Sequence, residues 1–451
     1  MSQRTNSVSH ESAIRFLTNR ESNARTYART FDRILSRGSQ STVWDTDGKD
    51  YIDLLSCAGA LPLGHNPGYV MDRVHRFLGS GQLQQALDMA TPAKVEFLEE
   101  LLRTLPSAFA ENCRFQFCGP TGSDGVEAAL KLFRIATQRR TVIAFHGAYH
   151  GMTAGSLALM GNLAPKSPFT ASSNETHFFP YPSESGCHFG VGGKAGEALT
   201  LRYLENVLCD PESGVLKPAL VIIEAIQGEG GCIPASADWL RGLREITSRH
   251  EIPLVIDEVQ TGFARTGTMF AHEISGIVPD AIVMSKAIGG GYPLAVLAYD
   301  KRYDKWLPGA HAGTFRGNQI ALVAGAATME ILRTHNIANN AAEMGMYFKR
   351  KLIALANKFP CIGEIRGRGL MLGMDIVSRR DDRFLPDGVL AKRIKRKCFE
   401  HGVIVETGGR HGAVMRFLPP LTITEQSIDE ALRRIEVATY ESLAEDPSSS
   451  N

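Results

Sequence analysis

Asp257 and Lys286 are the two side chains of this sequence best placed to do chemistry. Each closes a short apolar run: Leu254-Val255-Ile256 leads to Asp257 and Glu258, and Ala281-Ile282-Val283-Met284 leads to Ser285 and Lys286. Runs of this kind, ended by turn residues, read as buried strands. Parallel α/β sheets place ligands at the carboxyl ends of their strands, so the acid and the amine are expected in one crevice. Gly289, Gly290 and Gly291 follow the lysine. An amine and a carboxylate beside a glycine loop suit pyridoxal phosphate, with the lysine as its Schiff-base partner and the acid against the pyridinium nitrogen. Taken singly, a strand-end Asp is more often a helix cap and a Lys a solvated charge. Met284 before Lys286 and Ala287-Ile288 after it make a poor surface setting for that lysine.

The elements that must position this pair are readable around it. Phe115 to Cys118 is expected as a strand, then the turn Gly119-Pro120-Thr121-Gly122-Ser123-Asp124, then helical periodicity from Glu127 to Ala136. Strand, glycine turn and helix start present free N–H groups and a positive dipole end to an anion. The alternative for such a turn is a helix cap and nothing more. Thr141 to Phe145 and Leu220 to Ile223 are further strands, the second delivering Glu224, and Trp239 to His250 is the crossover helix before Asp257. Thr42 to Asp45 and Tyr51 to Leu55 flank Asp47-Gly48, a hairpin signal. Residues 160–196 are rich in Pro, Gly and Ser and read as a long irregular run, functional or mobile.

VIDEVQTGFARTG followed by SKAIGGGYPLA resembles the cofactor signature of the class III aminotransferases, a branch of the fold-type I pyridoxal phosphate (PLP) enzymes. ESNARTYARTF, YHGMT and GTFRGNQ resemble the diaminobutyrate aminotransferase subgroup. The resemblance runs from about Glu21 to the closing helix, Ile428 to Leu443. It implies an α/β fold: a large domain with a mostly parallel central sheet flanked by helices, and a smaller α+β domain built from both chain ends. The expected division is 1–63 and 334–451 for the small domain and 64–333 for the PLP-binding domain.

The same resemblance implies residue roles. Lys286 holds the cofactor and carries the proton, and Asp257 pairs with the ring nitrogen. Gly122 and Ser123 donate backbone N–H groups to the phosphate, Tyr149 stacks on the ring, Val259 packs under it and Gln260 meets its 3-hydroxyl. Thr314 reaches the phosphate of a neighbouring subunit, which implies a homodimer with shared active sites and leaves a tetramer open. Arg416 binds a substrate carboxylate, and Glu224 is expected to neutralise that arginine. His150 is read as structural, and Ser56 to Gly59 as a rim of the substrate site. Met152 stands where many relatives have arginine. The activity implied is amino transfer between an amino acid and a keto acid, L-2,4-diaminobutyrate and 2-oxoglutarate. Another class III activity or a non-catalytic PLP-binding protein are the alternatives.

The totals are consistent with that expectation. A chain of 451 residues exceeds what one core normally serves. A formal charge of +1 gives no electrostatic case for nucleic acid or an anionic membrane as partner. No apolar stretch approaches a membrane span. The eight cysteines contain no C-x-x-C pair, which suggests reduced thiols. A cytoplasmic protein with a frayed start, a polar tail and no metal is expected.

Overall fold

The computed structural model describes residues 10–168, 175–184, 188–380 and 383–445. The expected frayed start and polar tail lie mostly outside these residues, although a helix already begins at His10. The organising element is a sheet of seven strands among the described residues. Their order is Cys113–Phe117, Val296–Asp300, Ala281–Met284, Leu254–Asp257, Leu220–Ile223, Val142–Phe145 and Thr176–Phe179. Val296–Asp300 runs antiparallel to both neighbours; the other pairings are parallel.

The sheet is apolar on both faces because helices cover both. Val221, Ile223, Leu254 and Ile256 pack on Trp239, Leu240 and Leu243 of the helix Ala237–Arg249. The alternate residues Leu220, Ile222, Val255 and Val283 pack on Val126, Ala129 and Phe133 of the helix Gly122–Thr137. Each such side chain contributes about 1.5–3 kcal/mol when fully buried. This two-sided burial fixes register, since a slip by one residue would exchange the faces. Val255 to Asp257 pair with Ala281 to Val283, so Asp257 and Lys286 emerge at the same edge of the sheet.

Residues 160–196 are not the uninterrupted irregular run that their composition suggests. Thr176–Phe179 is the edge strand, in parallel register with Val142–Phe145, and the helix Gly193–Cys209 starts within the stretch. Four residues among many Pro, Gly and Ser give too short a period to read, and the strand exists through its neighbour. Residues 169–174 and 185–187 of this stretch lie outside the described residues.

Both ends of the chain meet in a second, smaller set of sheets. Thr42–Asp45 and Asp50–Asp53 form the hairpin over Asp47-Gly48, where Gly48 takes φ 86. The C-terminal strand Val403–Ile404 then adds in parallel to Asp50–Asp53. Ile362–Arg368, Met371–Arg380, Val414–Phe417 and Glu406–Gly408 make a neighbouring antiparallel sheet. The helices Gly388–Glu400 and Glu425–Ala444 pack against one another beside these strands. Among the described residues, no helix is long and apolar enough to cross a membrane.

Candidate active site

The carboxyl edge of the large sheet opens into a cavity of about 160 Å³ lined by Lys286, Asp257, Tyr149 and Glu224 together with Gly122, Ser123, Val259 and Gln260. Lys286 follows the strand Ala281–Met284 and takes φ 51, a left-handed conformation that aims it out of the strand line. Burial pushes its pKa down; Arg416 adds to this, while Glu229, Asp257 and Glu224 oppose it. Asp257 is buried and fixed on both oxygens. Its Oδ1 accepts from Val259 N at 3.0 Å, and its Oδ2 lies 2.8 Å from His150 Nδ1. Burial alone would lower the pKa of His150, but the Asp257 hydrogen bond and charge raise it on balance. His150 is therefore a positioning residue for the acid. The sequence carried a signal for it, a histidine one residue after the aromatic Tyr149, but no spacing rule links position 150 to 257.

The other expected cofactor contacts gather around this pair. Thr121 caps the helix Gly122–Thr137, accepting at Oγ1 from Asp124 N at 3.3 Å. The helix thus begins at Gly122 and Ser123 on the cavity wall, where its first N–H groups can meet an anion. A Cβ at Gly122 would stand 2.9 Å from Val259 Cγ1, so the close approach requires glycine. Gln260 donates from Nε2 to Ala58 O at 3.1 Å, while its buried Oε1 has no protein partner among the described residues. Ser56, Cys57 and Ala58 all have positive φ, a tight left-handed turn that brings Ala58 O to this place. A glycine cradle at a helix start, an unpaired acceptor, a fixed acid and a buried amine fit a phosphorylated pyridine aldehyde.

One expected pairing is overturned. Glu224 does not neutralise Arg416. Its carboxylate accepts from Tyr149 N at 3.1 Å and Gly228 N at 3.0 Å. Burial, with Asp257 adding to it, pushes its pKa up to about 7, against His150 and the two N–H donors. The partner of Arg416 is Glu229, with Nη1 to Oε1 at 2.8 Å. The run EAIQGEGG holds two acids, and the turn Gly228 to Gly231 folds the second towards the strand Val414–Phe417, whereas the first stays under the backbone of Tyr149. Glu229 was thus in the motif, but only the turn decides between the two.

Thr314 is the expected site residue that a single chain does not bring to Lys286. It lines a separate cleft with Gln116, Trp306, His311 and Arg316. Met152 is 55% exposed at the mouth of an outer cleft that also contains Tyr27, Glu229 and Arg416.

Comparison with known proteins agrees with this geometry. The family model described as Aminotransferase class-III matches residues 23–439. The chain is 47% identical over 419 residues to a diaminobutyrate–2-oxoglutarate aminotransferase of Rhizobium meliloti, covering 91% of this chain and 88% of that protein. It is 45% identical over 428 residues to the Haemophilus influenzae protein of the same name, covering 94% of each. Among solved structures, an amine transaminase from an uncultivated Pseudomonas species in its PLP-bound form superposes with a TM-score of 0.82 at 26% identity, over 94% of this chain and 98% of that one. Ornithine aminotransferase from Toxoplasma gondii shares the fold, with a TM-score of 0.81 at 24% identity over 97% and 96% of the two chains.

Proposed function

The chain belongs to the class III aminotransferases, and from that membership we propose that it moves the terminal amino group of L-2,4-diaminobutyrate onto 2-oxoglutarate. The products are L-aspartate 4-semialdehyde and L-glutamate. The observation that carries this reading is one cavity holding an amine whose pKa burial lowers and a histidine-fixed acid, next to an arginine–glutamate pair. Relatives bearing the diaminobutyrate name over nearly the full chain supply the substrate.

Bound pyridoxal phosphate supplies an aldehyde carbon that condenses with amines and a ring that takes up the electron pair left by a departing proton. The residues do the rest. N–H groups of Gly122 and Ser123 would hold the phosphate, Tyr149 and Val259 would confine the ring, and the unpaired Gln260 Oε1 would meet its hydroxyl. Asp257, kept in place by His150 and Val259 N, would stabilise a proton on the ring nitrogen. Lys286 would hold the cofactor at its aldehyde carbon and, as a free amine, would carry a proton to and from the reacting carbon. A lysine must be neutral to take that proton, and its lowered pKa serves this step.

Two unlike substrates must share the cavity. A keto acid or glutamate carboxylate displaces Glu229 from Arg416; with a cationic donor bound, Glu229 stays and keeps the arginine neutralised. We read residues 64–333 as the PLP-binding body, and 1–63 with 334–451 as the smaller domain. Thr314 serves the phosphate of a second copy, so the working unit is a homodimer. Purified protein with diaminobutyrate and 2-oxoglutarate should form glutamate. No glutamate, together with turnover of another terminal amine, would reject the substrate and keep the enzyme class.

A further inference from the structure

Resting on the reading of the donor as an amino acid that reacts through its far amine, we propose that Lys395 and Glu406 form a receptor for its α-amino-acid end. Glu406 takes the α-ammonium and Lys395 the α-carboxylate. The observation is an ion pair in the wall of the substrate cleft, with a buried lysine and a half-buried glutamate. That cleft, of about 870 Å³, meets the Lys286 cavity at Tyr149 and Glu229, which line both, and continues outward past Arg416 to Lys395 and Glu406.

Glu406 lies opposite Arg416 on adjacent antiparallel strands, so the two side chains share a face. Lys395, on the helix Gly388–Glu400, is only 6% exposed, and its ammonium pairs with Glu406 Oε1. The same oxygen accepts from Thr407 N at 2.8 Å, whereas no protein donor among the described residues reaches Oε2. Beyond Glu406, the lysine meets, among the described residues, only the Phe31 ring, 5.2 Å from Nζ to its centroid. Both partners thus keep unused hydrogen-bonding capacity in the cleft.

Stability does not account for such a pair. Burying two charges costs about as much as their attraction returns, and an apolar pair would pack at least as well. An ion pair in a cleft wall does suit a zwitterion. Laid against it, ammonium to Glu406 and carboxylate to Lys395, the head group forms a square of alternating charges with no net buried charge. A donor with its reactive amine at Lys286 has its head group two methylenes further on, on the way into the outer cleft.

The test uses PLP-loaded wild type, Glu406→Gln and Lys395→Met, with three amines and 2-oxoglutarate. Diaminobutyrate has both head charges, 4-aminobutyrate lacks only the α-ammonium, and n-propylamine lacks both. In Glu406→Gln, the kcat/KM ratio of diaminobutyrate over 4-aminobutyrate should fall about 10–100-fold, mainly through KM, as expected for one charged hydrogen bond. In Lys395→Met, both acids should lose ground to n-propylamine by a similar factor. Retained visible absorbance of the bound cofactor identifies folded variants. Equal losses for all three amines, or losses confined to kcat, would mean a structural role and overturn the proposal. A wild type indifferent between diaminobutyrate and 4-aminobutyrate overturns it too, while leaving amino transfer intact. If no amine reaches 2-oxoglutarate, the function proposed above fails and takes this receptor with it.

Discussion

At the scale of residues, the site works by setting the protonation of single groups. Lys286 occupies the left-handed region, which costs a residue with a Cβ about 1–2 kcal/mol. Strain of this kind persists where the surroundings over-determine it. Lys286→Ala should abolish both the visible absorbance of the bound cofactor and turnover; turnover without it would contradict the role given to the lysine. Glu224 makes a pH prediction. Its pKa in the folded protein is about 7 against an ordinary 4.5, so the fold holds a proton that the unfolded chain has released. That stabilisation is full below about 4.5 and is lost as pH rises to about 7, by at most about 3 kcal/mol. The Glu224→Gln variant has no such proton to lose. Whatever constant offset the amide brings, the melting temperature of the variant relative to wild type should climb between about pH 5 and about pH 8. A difference that stays level across that range would contradict the burial argument.

At the scale of elements, the start of the helix Gly122–Thr137 and the turn that follows the strand Leu254–Asp257 approach so closely, at Val259, that only glycine fits between them. Gly122→Ala would press on Val259 at 2.9 Å and move it into the space of the ring it confines. Overpacking of this kind costs about 1–3 kcal/mol. Here it should appear as a cofactor dissociation constant raised about tenfold or more, read by titrating apoprotein with PLP, while the fold is kept. Elements with their own signal were legible: the Asp47-Gly48 hairpin, the crossover helix before Asp257 and the strands on either side of it. The edge strand Thr176–Phe179 was not, because pairing with Val142–Phe145, rather than local composition, makes it a strand.

At the scale of the whole molecule, Thr314 sits in a cleft of its own with His311 and Arg316, apart from the Lys286 cavity of the same chain. A role at the phosphate therefore requires a second copy, and this can be tested by complementation. If two copies share their sites, Lys286→Ala and Thr314→Ala variants, mixed and allowed to exchange subunits, form a hybrid in which one site has both wild-type residues. Activity should then rise above the sum of the separate variants. If the threonine acted only within its own chain, every site would keep one defect and mixing would gain nothing.

What the amino-acid order determined by itself was the chemistry at strand ends. Apolar runs must be buried, so the polar residues closing them, Asp257, Glu224 and Lys286, had to emerge at one edge of a parallel sheet. Choices among polar residues distant in sequence were left to the tertiary structure. It set Glu229 rather than Glu224 against Arg416, put His150 on Asp257, and brought Lys395 of a C-terminal helix onto Glu406. A charge has no period along the chain. Its partner is whichever opposite charge the packed backbone brings within hydrogen-bonding distance, and that is known only once the chain has folded.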